Sequence, residues 1–276
     1  MRPSNKKKFY LTIITFLVLI GAVSVFLLYY FNWNVIIQSY LTHEGALGVV
    51  LIISSRIIIL SGMVIYTFYK WFKQEKQYFS DLPFLFGIFF LFLVFGKTLD
   101  LFADFIYFEL NEALVLSVLK TRYFIMILDF LPMIYLSSEM ILFSFSLRPR
   151  FNKLTNEEMR NKVSYRLIFG ILFIEFIAGL LAPSVRSLTI YYPIIIIPSL
   201  ITIFWLFRFA YKNKRLSQVN TLILTIGFGA YLISQIIRPL AQFIIGESDV
   251  FLIFAESIDL IIFLVIFLGF YRESKY

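Results

Sequence analysis

Apolar runs long enough to cross a bilayer recur along the whole chain, separated by short polar segments. They fall at about 9–31, 46–69, 83–108, 123–146, 166–183, 188–210, 218–244 and 249–271. A hydrocarbon core of about 30 Å takes about 20 residues of helix to cross. The pattern therefore predicts an all-α, polytopic integral membrane protein with eight transmembrane helices. The least regular stretch is 166–210, where Pro183 and a Ser-Val-Arg-Ser segment divide two runs, and a single re-entrant element is the alternative there. Residues 1–276 read as one transmembrane domain, and the longest polar stretch, Arg148 to Tyr165, as a linker or a short surface helix. The start, MRPSNKKKFY and an apolar run to about Phe31, is too long for a signal peptide and reads as a retained first helix.

Lysine and arginine accumulate in cytoplasmic loops, so their distribution tests the helix count independently. With a cytoplasmic N-terminus, the inner segments hold 19 of these residues and the outer loops three, Lys120, Arg122 and Arg186. One missed or extra span would invert every loop after it. Both termini are therefore expected in the cytoplasm, with the protein in the cell membrane. The net charge of +8 belongs to the inner face, where anionic lipid headgroups are its expected partner and nucleic acid is not. Trp33 and Trp71 fall at predicted membrane boundaries and read as interfacial anchors.

Composition narrows the chemistry further. The chain is 60% hydrophobic and 15% charged. It has no cysteine, which excludes disulfides and thiolate chemistry, and its one histidine, His43, sits in a predicted loop. No metal or cofactor is expected from such a set. Richness in Phe, Ile, Lys and Tyr fits an AT-rich prokaryotic genome.

The two halves of the chain can be laid on each other as four-helix repeats. Without gaps, Phe84–Phe105 aligns with Leu222–Phe243, and FIMILD at 124–129 with FLIFAE at 251–256, which superposes Asp129 on Glu256. Copies of an even number of helices would be parallel, related by an axis along the membrane normal.

Ionisable residues inside apolar runs cost several kcal/mol unless they meet a partner, a cavity or water. The third run carries Lys97, Asp100 and Asp104 at i, i+3 and i+7, on one helical face. The predicted topology places these three, with Asp129, Arg238, Glu256 and Asp259, in the outer half of the membrane, with Ser234, Gln235 and Gln242 beside Arg238. Arg56, Glu139 and Glu175 lie deeper. Lys97, Asp100, Asp129, Arg238, Glu256 and Asp259 are the expected ligands of a solute or ion, and Arg56, Asp104, Glu139 and Glu175 the secondary candidates. Asp104 and Glu109, nearest the surface, are expected to be hydrated. Three cations against seven carboxylates leave an acid excess that a proton or a bound cation would offset. Pairings such as Lys97 with Asp129, and Arg238 with Glu256 or Asp100, would make the same residues a helix-joining network. Pro132 and Pro239 lie close to Asp129 and Arg238, where a broken helix can form part of a binding site.

Three functions compete for this pattern. The first is a small secondary transporter or ion- or proton-coupled carrier of a cationic or zwitterionic solute. The second is a membrane sensor that signals to a separate cytoplasmic protein. The third is an intramembrane enzyme. Asp100-x-x-x-Asp104 resembles the first Asp-rich magnesium–diphosphate motif of membrane prenyltransferases, and that resemblance would imply such an enzyme. The sequence departs from it in having Gly96 where the motif carries Asn, no second Asp-x-x-x-Asp in a later helix, and acids at the outer end. The Gly-x-Gly-Asp element of intramembrane aspartyl proteases and the histidines of membrane zinc hydrolases are absent.

Overall fold

The structure is a computed structural model, and it describes residues 3–42, 45–106, 112–246 and 248–273. Its elements, in order, are α1 (Pro3–Phe31), α2 (Trp33–Thr42), α3 (Ala46–Phe72), α4 (Leu82–Ile106), α5 (Glu112–Ser146), a 3-10 segment (Pro149–Thr155), α6 (Glu157–Leu181), α7 (Val185–Lys212), α8 (Thr221–Ile245) and α9 (Asp249–Tyr271). Among the described residues there is no strand. All of these helices except the short α2 are long and apolar enough to span a membrane, which makes the chain a multi-pass helical membrane protein.

The spans coincide with the predicted runs, with informative differences at the ends. α5 begins at Glu112 rather than near 123, and α6 at Glu157 rather than 166. Hydropathy reports the thickness of lipid, whereas backbone hydrogen bonding continues a helix beyond it. α5, with 35 residues, is about 50 Å long and exceeds the hydrocarbon core. Between α6 and α7 the chain breaks at Pro183, and the Ser184 side chain caps α7 by accepting a hydrogen bond from the Ser187 N–H, so two helices form and not one re-entrant element. Asn156, Asn220 and Ser248 cap α6, α8 and α9 in the same way. His43 and Glu109 lie outside the described residues.

Two compact units make up the chain, Met1–Asp129 and Phe130–Tyr276, and the division falls inside α5. In the first unit α3 packs on α4, and α1 and α2 also lie against α4. Leu60, Phe86, Phe89, Phe90, Phe102 and Ile106 are buried there. Trp71 corrects an expectation: it is 0% exposed, and its indole N–H donates to the Asp81 carboxylate at 3.0 Å and to the Tyr78 carbonyl at 3.2 Å. It clamps the α3–α4 loop rather than anchoring in lipid, because Asp81 and Tyr78 offer acceptors that a lipid tail does not. Trp33, at 57% exposed, stays on the surface.

In the second unit α7 packs on α8 and α8 on α9. Lipid tails are as apolar as Leu, so helix association here rests on packing and not on transfer from water. Gly227 and Gly269 allow the α8 and α9 backbones to approach closely. A Cβ on Gly269 would stand 2.9 Å from the Leu224 backbone nitrogen, and one on Gly227 would stand 2.7 Å from Ile266 Cγ1. The Asn220 N–H adds a 2.8 Å hydrogen bond to the Gly269 carbonyl.

Candidate functional site

Each unit builds an ion cluster of its own, and both centre on an arginine bracketed by two carboxylates. The cluster between α4 and α5 starts from two helical repeats. Gly96 and Asp100 are one turn apart on α4, and Arg122 and Asp129 two turns apart on α5, so each pair shares a face. Asp100 accepts a hydrogen bond from Arg122 Nε at 2.6 Å and a longer one from Nη2 at 3.4 Å, and it pairs with Lys97 Nζ at 3.0 Å. Arg122 Nη1 stands 3.7 Å from Asp129 Oδ2, an ion pair too long for a hydrogen bond. Lys97 and Asp129 are buried and Asp100 half-buried, whereas Asp104 is exposed one turn further along α4.

Gly96 makes this arrangement possible. A Cβ at that position would lie 2.9 Å from both Cζ and Nη1 of Arg122, closer than atoms pack. The absence of a side chain leaves the space that the guanidinium fills. Gly96, which stands where the prenyltransferase motif would carry Asn, thus has a local task unrelated to diphosphate binding. Asp100 is occupied by two cations and Asp104 faces outward, so the pair does not converge as a metal-binding set. Among the described residues no three of His, Cys, Asp and Glu gather in a metal-binding group.

The second cluster joins α8 to α9. Ser234 and Arg238 lie one turn apart on α8, and Glu256 and Asp259 are spaced i, i+3 on α9, so each pair faces the other helix. Arg238 Nη2 donates to Glu256 Oε1 at 2.8 Å and Nη1 to Asp259 Oδ2 at 3.3 Å, while the Ser234 hydroxyl donates to Asp259 Oδ1 at 2.8 Å. The two carboxylate side chains are 2% exposed and the arginine 24%. Arg238 and Glu256 each lie about 10 Å along the axis from the nearer end of their helix, well inside a spanning segment. Pro239 follows Arg238 directly and cannot donate a backbone hydrogen bond, which loosens α8 at the level of the arginine.

The ungapped alignment of the halves places Asp100 opposite Arg238, so the same helical position carries an ionised group of opposite sign. The other candidates are more scattered. Arg56 is buried on α3 and Glu175 half-buried on α6. Glu139 pairs with Arg160 at 3.4 Å, and the guanidiniums of Arg160 and Arg215 lie 5.9 and 5.1 Å from the Phe143 ring centroid. This places Glu139 among the basic side chains of the second unit.

Arg122, which the sequence pattern assigns to an outer loop, is the centre of the first cluster. Lys120, Thr121 and Arg122 together interrupt the apolar run and end it on any hydropathy criterion. The structure corrects the loop: Lys120 and Arg122 are on α5, and Arg122 pairs with Asp100 and Asp129. The legible signal was the i, i+7 spacing of Arg122 and Asp129, an opposite-charge pair on one face. Comparison of the chain with protein-family models, with curated proteins and with solved structures gives no match, so its function rests on the geometry of these two clusters.

Proposed function

We propose that the protein is a small ion-coupled carrier of a cationic or zwitterionic solute, seated in the cell membrane with both termini in the cytoplasm. The observation that carries this reading is the Arg238–Glu256–Asp259 cluster, where one guanidinium is shared by two nearly inaccessible carboxylates inside spanning helices. With both acids ionised the three groups carry a formal charge of −1. Ionised groups at that depth are costly, and a proton or a small cation at these carboxylates would offset the charge of the three. An incoming cation competes with Arg238 for the same oxygens, so occupancy and the position of the arginine are linked. A carrier needs such a two-state element to couple ion and solute movement.

The test is ion flux in proteoliposomes of purified protein, read with a pH dye and with a sodium dye under an imposed gradient. Flux that is lost in Glu256→Gln and Asp259→Asn, with folding retained, is the expected result. Absence of flux in the wild type under every gradient would remove the carrier.

A second reading, a sensor, is favoured by one observation. Arg160 and Arg215 bracket Phe143 beside Glu139, at the end where the positive residues gather, which is where a cytoplasmic partner would dock. A sensor binds its ligand without flux, so the same proteoliposome experiment separates the two.

A further inference from the structure

We propose that the α4–α5 cluster is the solute site of this carrier, and that its solute is a small zwitterion bearing an ammonium and a carboxylate. The proposal rests on the carrier reading, and it uses a different cluster from the one that carries that reading.

Charge sets the first requirement. Lys97 and Arg122 face Asp100 and Asp129, two cations against two carboxylates, so the formal charges of these four groups cancel. A ligand with a net charge would leave an unbalanced ion in a low-dielectric site, whereas a net-neutral ligand would not. This distinguishes the four groups from the one cation and two carboxylates joined between α8 and α9.

Hydrogen bonding sets the second. The attraction inside the cluster is unevenly shared. Asp100 holds Lys97 at 3.0 Å and Arg122 at 2.6 Å. Asp129, 1% exposed, has a 3.7 Å ion pair at Oδ2, and its Oδ1 accepts no hydrogen bond from any described residue. A buried carboxylate oxygen without a donor costs roughly 1–3 kcal/mol or more. An ammonium group supplies both the donor and the charge that this oxygen calls for. The carboxylate of the same molecule then meets Lys97 and Arg122, the two cations of the cluster. Neither an amine alone nor an acid alone meets both requirements.

Geometry supplies the third element. The guanidinium lies against Gly96, 2.9 Å from where a Cβ would stand, so its position between Asp100 and Asp129 depends on that glycine. Gly96 is therefore a positioning residue for the site, and changing it moves Arg122 without removing any charge.

The experiment measures binding by purified full-length protein in nanodiscs. Thermal unfolding is followed with each of the common α-amino acids, and in parallel with methylammonium, glycinamide and acetate as amine-only and acid-only controls. At least one zwitterion is expected to raise the unfolding temperature while its single-charge analogues do not. Asp129→Asn is expected to weaken that binding by about 10- to 100-fold, the equivalent of one charge-assisted hydrogen bond. Gly96→Ala, which keeps every charged group, is expected to weaken it as well and serves if Asp129→Asn does not fold. No response to any zwitterion, an equal response to the amine or acid controls, or wild-type binding in both variants would overturn the proposal. Zwitterion binding without ion flux keeps this site and removes the carrier, and ion flux without zwitterion binding does the reverse.

Discussion

Arg238 satisfies two carboxylates at once, and the consequence of removing it follows from what would stay behind. Glu256 and Asp259 would remain buried without the guanidinium they share, with the Ser234 hydroxyl still donating to Asp259. Breaking a buried pair by deleting one partner costs about 3–5 kcal/mol, because the surviving charge keeps its desolvation penalty. Arg238→Gln is expected to lower stability by about that amount, and adding Glu256→Gln should recover part of the loss. Chemical or thermal unfolding of the single and double variants measures the coupling, and strict additivity would show that the groups do not interact. At this scale most of the charged cluster was legible in the sequence. Lys97, Asp100, Asp129, Arg238, Glu256 and Asp259 stand out because each interrupts an apolar run at a depth where lipid cannot solvate it. Their actual partners were less legible. The sequence pattern suggests pairing Lys97 with Asp129, but the long arginine at 122 reaches Asp100 and Asp129 from a helical turn that reads as loop. Partner choice depends on side-chain reach and on a missing Cβ at Gly96, and neither leaves a mark in hydropathy.

At the level of elements, the spans follow from lipid thickness, and the contacts between them follow from small residues. The close approach of α8 and α9 depends on Gly227 and Gly269, with backbone atoms directly in the path of any added side chain at Gly269. Gly269→Val is expected to cost about 1–3 kcal/mol through overpacking. It should also spread the helix pair and lengthen the Arg238–Glu256 contact. A cysteine pair across α8 and α9, cross-linked before and after the change, would report the separation, and unchanged cross-linking would show that the glycine is dispensable. The eight spanning runs were readable because each gathers enough apolar residues to cover the hydrocarbon. The short α2, the early start of α5 and the inward turn of Trp71 were not. These depend on backbone hydrogen bonds outside lipid and on acceptors contributed by the loop at Tyr78 and Asp81.

For the whole molecule, a basic balance of +8 and a pair of internally ion-paired helix hairpins describe a protein that keeps charge in two places. One is the set of loops that the positive-inside pattern assigns to the cytoplasm. The other is the interior of each unit, where charge is tolerated only with partners or water. A purely structural network needs no water at the α8–α9 cluster, whereas an ion-binding site must be reached by it. The chain has no cysteine, so a single introduced thiol is the sole target for labelling. Ser234→Cys is nearly isosteric and replaces the hydroxyl that donates to Asp259, about 16 Å along the axis from the end of α8. The measurement is its reaction with a membrane-impermeant maleimide on intact cells, beside a Ser117→Cys control at an exposed position of α5. A water-reached ion site predicts labelling at both positions, with labelling at 234 slowed by the coupling ion. Labelling at 117 with full protection at 234 would mean a dry ion-pair network that joins helices and carries nothing.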